Sequence, residues 1–366
     1  MWEQIERRSD AVRYFHPGWF ASVMGTGILA VATHHADALV PGLEGVAVAL
    51  WLLSTAFLVI LIVPWVARWL IFSKEAWADT GHSTRGPFYA TLPIGLLVLG
   101  TDFAAIGSTR MDAGTAIQVA QGLWIVGTVL AFIFGVLVPY RWFTSPSVPL
   151  DQVNGGWFIP PVGNIVVPAA AAPLIGTWGS EEACRFICIV AFALFGIGLL
   201  LFIVVAVLLI GRLIEHAMPE AHLAPTLWIG LGPIGVGSLA LGRLSVTATP
   251  VFGAYAPEAH VMLLLAATVL WGFGLWWITI AIALTIHYLG KPFPFAMSWW
   301  AFTFPLGAFT VSTFVLGDAY DAGYLAWFGF ALWALLVAFW VVVLVRTIAG
   351  LYTGALLKAP PMPVAR

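Results

Sequence analysis

Charge is the scarcest commodity in this chain: 9% of its 366 residues are Asp, Glu, Lys or Arg, against 61% that are hydrophobic. With a mean hydropathy of +0.98, there is too little polar surface to coat a water-soluble globule, which excludes a cytosolic domain. Cysteine is nearly absent as well. The two that occur, Cys184 and Cys188, stand one helical turn apart at the head of a hydrophobic run, where a disulfide or metal site needs more ligands or a loop. They read as small packing residues. No His/Cys/carboxylate cluster and no Ser/His/Asp set falls within the hydrophobic runs, so neither an enzyme nor a cofactor is expected, and nucleic acid is not an expected partner. Gly230-x-Gly232-x-x-Gly235 fits a dinucleotide fingerprint by letter, but it lies inside a hydrophobic run, contains Pro233 and follows no strand. The first 16 residues carry six charges and no separate apolar stretch, so neither a cleavable leader nor a soluble N-terminal domain is expected.

What the chain has is long apolar runs. Ten can be placed, near 17–35, 45–71, 87–108, 114–139, 157–177, 183–211, 225–243, 260–287, 295–317 and 322–347. Each is long enough to cross a hydrocarbon core about 30 Å thick as a helix. None alternates, which argues against a β-barrel. Basic residues set the orientation. With the N-terminus cytoplasmic, Arg7, Arg8, Arg13, Arg68, Lys74, Arg85, Arg141, Arg212, Lys291, Arg346, Lys358 and Arg366 fall inside, leaving Arg110, Arg185 and Arg243 outside. Both termini are then cytoplasmic, in a bacterial inner or plasma membrane.

A short pattern recurs five times: Val23-Met24-Gly25, Pro93-Ile94-Gly95, Pro161-Val162-Gly163, Pro233-Ile234-Gly235 and Pro305-Leu306-Gly307, with the glycines 70, 68, 72 and 72 residues apart. An aromatic precedes each, at Phe20, Tyr89, Phe158, Trp228 and Trp300. This is an internal repeat of about 70 residues, with units near 15–75, 85–142, 155–214, 225–289 and 295–350. Proline inside a helix frees a carbonyl, which is tolerable where protein or water re-satisfies it and expensive against lipid. The first helix of each unit is therefore expected inside and the second outside. The fold class that follows is an all-α integral membrane protein of ten transmembrane helices, arranged as five hairpins with pseudo-five-fold symmetry and five kinked inner helices around a central pore. Five parallel inner helices point their N-termini at one mouth, where anions are favoured. Restarting the helix at each kink offers free N–H groups at the midplane.

Residues beside the kinks are the candidates for lining such a pore. Thr26 and Asn164, directly after their glycines, come first for polar contact with an ion, with Ser22, Thr91 and Thr303 nearby; a hydrogen bond to their own turn is the alternative for each. Phe304 is aimed by Pro305, and Phe302 and Phe309 share its segment; an aromatic ring across a narrow lumen is a dewetted gate. Asp102 is read either as a proton-coupling acid or as a residue at the outer interface. Arg243 is read as its partner or as a basic point in an acidic vestibule. His34 and His35 close the first span, as pH-responsive groups or simply as interfacial ones.

Two segments carry a resemblance. FHPGWFASVMGTGIL, from Phe15 to Leu29, and PFAMSWWAFTFPLGAFTVST, from Pro294 to Thr313, are similar to the tellurite-resistance/dicarboxylate transporter family, which includes plant slow anion channels, fungal malate permeases and fungal sulfite pumps. The TFPLG form resembles the malate-permease and sulfite-pump branch. The resemblance implies ten helices around a pore, a homotrimer with one pore per subunit, small anions as cargo, and a gating phenylalanine at the position of Phe304. The expected function is transport of a C4-dicarboxylate such as malate, or of sulfite. A passive Phe-gated channel for chloride or nitrate, or a tellurite-resistance protein, is the alternative. The long regulatory tails of the plant channels are not present in this sequence.

Overall fold

The computed structural model describes residues 9–145, 148–290 and 292–357; Arg7, Arg8, Lys291, Lys358 and Arg366, counted above for orientation, lie outside them. Among the described residues there are ten principal helices and no strand. They are α1 (Ala21–Asp37), α2 (Glu44–Ile71), α3 (Thr91–Ala105), α4 (Ala113–Phe143), α5 (Ile159–Ala171), α6 (Glu181–Glu215), α7 (Leu231–Thr247), α8 (Ala256–Leu289), α9 (Phe304–Ala319) and α10 (Gly323–Thr353).

The odd-numbered helices form a closed inner ring, α1 on α3, α3 on α5, α5 on α7, α7 on α9, and α9 back on α1. Each even-numbered helix packs on the inner helix of its own hairpin and on the next one round. Among the described residues, nine helices are long and apolar enough to cross a membrane. Inner spans are 83% to 94% buried and outer spans 22% to 39%, so the outer ring offers its apolar surface to lipid. The tenth, α1, contains Thr26, Thr33, His34 and His35, is not one of the nine, and is held in place by closing the ring.

The Pro-x-Gly pattern marks a change of helix type, which corrects the expected mid-helix kink. Each inner helix is entered through a 3₁₀ turn: Pro17–Phe20, Gly86–Ala90, Gly155–Phe158, Ala221–Gly230 and Met297–Phe302. Pro93, Pro161, Pro233 and Pro305 then fall in the first turn of the α-helical part. There a missing N–H removes no intrahelical bond, and a fixed φ suits the helix. The free N–H groups expected at the midplane are likewise reduced: the Thr303 N–H donates to Trp300 O (3.1 Å) and the Gly307 N–H to Thr303 O (2.9 Å).

The repeated aromatics fasten each 3₁₀ turn to the outer helix of its own hairpin. Phe20 meets Trp65 on α2, Tyr89 meets Phe134 on α4 and Phe158 meets Phe202 on α6, with ring centroids 5.7, 5.8 and 5.5 Å apart. The Trp228 and Trp300 indoles donate to Thr285 on α8 (2.9 Å) and Thr347 on α10 (3.1 Å). Further indoles run the other way, from outer helix to inner: Trp271 to Thr313, Trp333 to Thr33 and Trp340 to Thr26. At the N-terminal end of the ring, buried Arg68 reaches Asp79 (2.6 Å) and the Tyr89 hydroxyl, and Arg85 shares the same carboxylate. Cys184 and Cys188 are buried free thiols.

Candidate functional site

Two narrow chambers lie on the axis of the inner ring. The N-terminal chamber is bounded by Met24, Thr91, Ile94, Val162 and Phe304 among others, the C-terminal one by Ile28, Val98, Val166, Val236, Arg243 and Phe304. The space open to water centres is about 30 Å³ in the first and about 20 Å³ in the second, room for one or two waters each. Phe304 is a wall of both.

The lining forms a single stripe on each helix. Ala21, Met24, Ile28 and Val31 on α1, Thr91, Ile94, Val98 and Thr101 on α3, and Gly232, Val236, Leu239 and Arg243 on α7 recur every three or four residues, as one face of a helix requires. A third cavity, of about 400 Å³, opens below the N-terminal chamber and shares Phe88 and Met297 with it. Tyr14, His16, Arg85 and His222 line this vestibule. His16 Nδ1 accepts the Gly18 N–H at 2.9 Å and so caps the first 3₁₀ turn. Burial, with Arg85 and Arg68 adding to it, holds its pKa well below the ordinary 6.5, which keeps that nitrogen free to accept.

Of the residues singled out from sequence, Phe304, Pro305, Thr91 and Arg243 line the chambers. The two first choices for ion contact do not. The Thr26 hydroxyl accepts the Trp340 indole N–H from α10 at 3.0 Å, and Asn164 lies against Gly135 of α4, its amide donating to Pro160 O at 3.2 Å. Both face outward because the residue after each glycine sits about 200° round the helix from the lining residue before it. Ser22 donates to Trp19 O and Thr303 to Trp300 O, the intrahelical alternative. Phe302 packs on Trp228 and Phe339, and Phe309 stacks on Trp271, so both rings point away from the axis.

The glycines of the pattern mostly serve contact around the ring. Gly25 lies on Thr303, Gly95 on Val23, Gly163 on Ile94 and Ala131, and Gly307 on Ile28. At Gly235 the approach is backbone to backbone, a Cβ there coming within 2.6 Å of Phe309 N.

Asp102 is not on a chamber wall. It is fully buried beside Gly27 of α1 and Ser54 of α2, and among the described residues both its oxygens lack a hydrogen-bond partner. Arg243 is not its ion-pair partner: among the described residues its guanidinium makes one hydrogen bond, from Nη1 to Ala169 O on α5 at 3.4 Å. His34 pairs with Glu44 at 2.7 Å, and His35 stacks on Phe314. Arg243, read from sequence as a partner of Asp102 or a basic point in a vestibule, is the charged group among the chamber-lining residues, and the spacing 232, 236, 239, 243 places it on the lining face of α7.

The sequence matches the voltage-dependent anion channel family over residues 14–348. It is 38% identical over 363 residues to an uncharacterized transporter of Methanocaldococcus jannaschii, covering 98% of this chain and 99% of that protein. A second uncharacterized transporter of the same organism is 35% identical, with 95% and 98% covered. A sulfite efflux pump of Arthroderma otae is 29% identical, with 97% and 96% covered.

Proposed function

This chain belongs to the voltage-dependent anion channel family, and from that premise we propose that it passes small anions along the axis of the five-helix ring, with Phe304 as the gate. One observation carries the reading: the same residue, Phe304, lines both chambers. An apolar ring across a passage this narrow excludes water, and an ion cannot shed its hydration there without replacement ligands. Rotation of the ring joins the chambers.

Sulfite is the cargo proposed first, on the strength of relatives named as sulfite efflux pumps, with malate as the dicarboxylate to compare with it. Passive conduction is favoured over proton coupling by the site of Asp102, the acid considered for that role, which faces Gly27 behind the ring and not a chamber. The basic cluster of Arg13, Arg68 and Arg85 beside the N-terminal mouth supports placing that mouth, and both termini, in the cytoplasm of a bacterial plasma membrane. A homotrimer with one pore per subunit is proposed from the family resemblance.

The test is flux into proteoliposomes across malate, succinate, sulfite, nitrate and chloride. Phe304→Ala is expected to raise flux about tenfold or more, as removal of a dewetted constriction does; an unchanged or lower flux in a folded variant overturns the gate. Flux following only voltage and the anion gradient is the expected result. Uphill accumulation driven by a pH gradient would instead establish coupling.

A further inference from the structure

Resting on that reading, we propose that Arg243 is the seat of a compact, singly charged anion in the C-terminal chamber, and that this seat selects a monoanion over a dicarboxylate. Among the residues lining either chamber, Arg243 alone carries a charge. The two other arginines at this end of the ring are occupied: Arg110 pairs with Glu44 at 3.5 Å and Arg185 with Glu181 at 3.0 Å. Arg243 makes no ion pair among the described residues, and its one hydrogen bond, to a carbonyl at 3.4 Å, is long. A guanidinium has five N–H donors, so most of its capacity is left to a ligand.

The chamber needs such a charge. The five inner helices run parallel, so the end that gathers N-termini at one mouth gathers C-termini at the other, each equivalent to about half a negative charge. An anion that has passed Phe304 meets that repulsion, and Arg243, in the last turns of α7, stands where it is strongest. The rest of the wall is Ile28, Val31, Val98, Val166, Val236 and Leu239 among other apolar groups, with the Thr101 hydroxyl committed to Leu97 O. One cation balances one charge. A second carboxylate would lie unpaired against aliphatic side chains, which is expensive, and a space of about 20 Å³ for water centres suits a rounded ion over an extended one. The chemistry points to a halide, nitrate or the singly protonated form of sulfite.

Wild type, Arg243→Gln and Arg243→Lys in neutral-lipid proteoliposomes test this, with flux of chloride, nitrate, sulfite at mildly acid pH, and malate. The wild type is expected to pass the monoanions about tenfold or more faster than malate. Arg243→Gln is expected to cut monoanion flux roughly ten- to a hundredfold, the size of losing charge-assisted hydrogen bonds, and Arg243→Lys to recover most of it because the charge is kept. Malate passing faster than the monoanions, or Arg243→Gln matching wild type, overturns the seat. The wild-type malate-to-chloride ratio needs no variant and decides the matter if the glutamine protein does not fold. A wild type that carries none of these anions refutes the transport reading itself, a different outcome from transport indifferent to Arg243.

Discussion

The two rings of this protein solve the same solvent problem in opposite ways. The outer helices are 28 to 35 residues long, 22% to 39% buried, and held by apolar surface in lipid. Helices of the inner ring have α-helical parts of only 13 to 17 residues, begin in 3₁₀ turns, and make their tightest contacts through glycine. Outer positions that face away from the ring tolerate almost any apolar side chain of suitable bulk, whereas inner positions, and outer ones against the ring such as Gly198, are fixed by what the neighbouring helix allows. That asymmetry is what leaves an axis open.

Glycine substitution breaks the comparison most sharply. Gly235→Leu must drive α7 off the Phe309 backbone, and a loss of about 3 kcal/mol or more, or failure to fold, is expected from such overpacking. Gly196 on α6 has nothing within 4 Å of a built Cβ, so Gly196→Ala is expected to be neutral or to stabilise by about 0.5–1 kcal/mol through helix propensity. Thermal unfolding in detergent reads both. A smaller effect is expected where the rings are tied together. Trp271→Phe keeps the stack on Phe309 but removes the indole donor to Thr313 (2.9 Å), at a cost of about 1 kcal/mol.

The smallest effect sharpens the contrast at the N-terminal mouth. Because folding lowers the His16 pKa below its ordinary 6.5, the unfolded chain takes up the proton more readily. Its contribution to stability is then present above about pH 6.5 and is lost as pH falls below it. His16→Asn, which keeps an acceptor for the Gly18 N–H without a titrating ring, is expected to shift the melting temperature less between neutral and mildly acid pH than wild type does. Equal acid shifts in the two proteins would assign the acid sensitivity elsewhere.

Much of the architecture was legible because it rests on period and composition. Apolar length gave the spans, and the Pro-x-Gly pattern on alternate spans gave the inner and outer rings. The direction of individual side chains was not legible, since it depends on the rotation of each inner helix about its own axis. On α1, α3 and α5 the lining residues include Met24, Ile94 and Val162, each directly before its glycine. On α7 and α9 the stripe is offset by about one residue, to Gly232 and Val236 and to Phe304. That offset brings Phe304 and Arg243 to the axis, while Thr26 and Asn164, on helices without it, face outward. The glycines announce the repeat but not this rotation, which is set by contacts such as Gly235 on Phe309 and Gly307 on Ile28.

Closure of the ring by α9 on α1 makes the last hairpin as much a neighbour of the first as any consecutive pair is. Sequence order then has no privileged origin within the bundle. A chain cut in the segment between α6 and α7 and joined across its present ends would trace the same circle of contacts from a different starting point, since every hairpin departs from and returns to the same face.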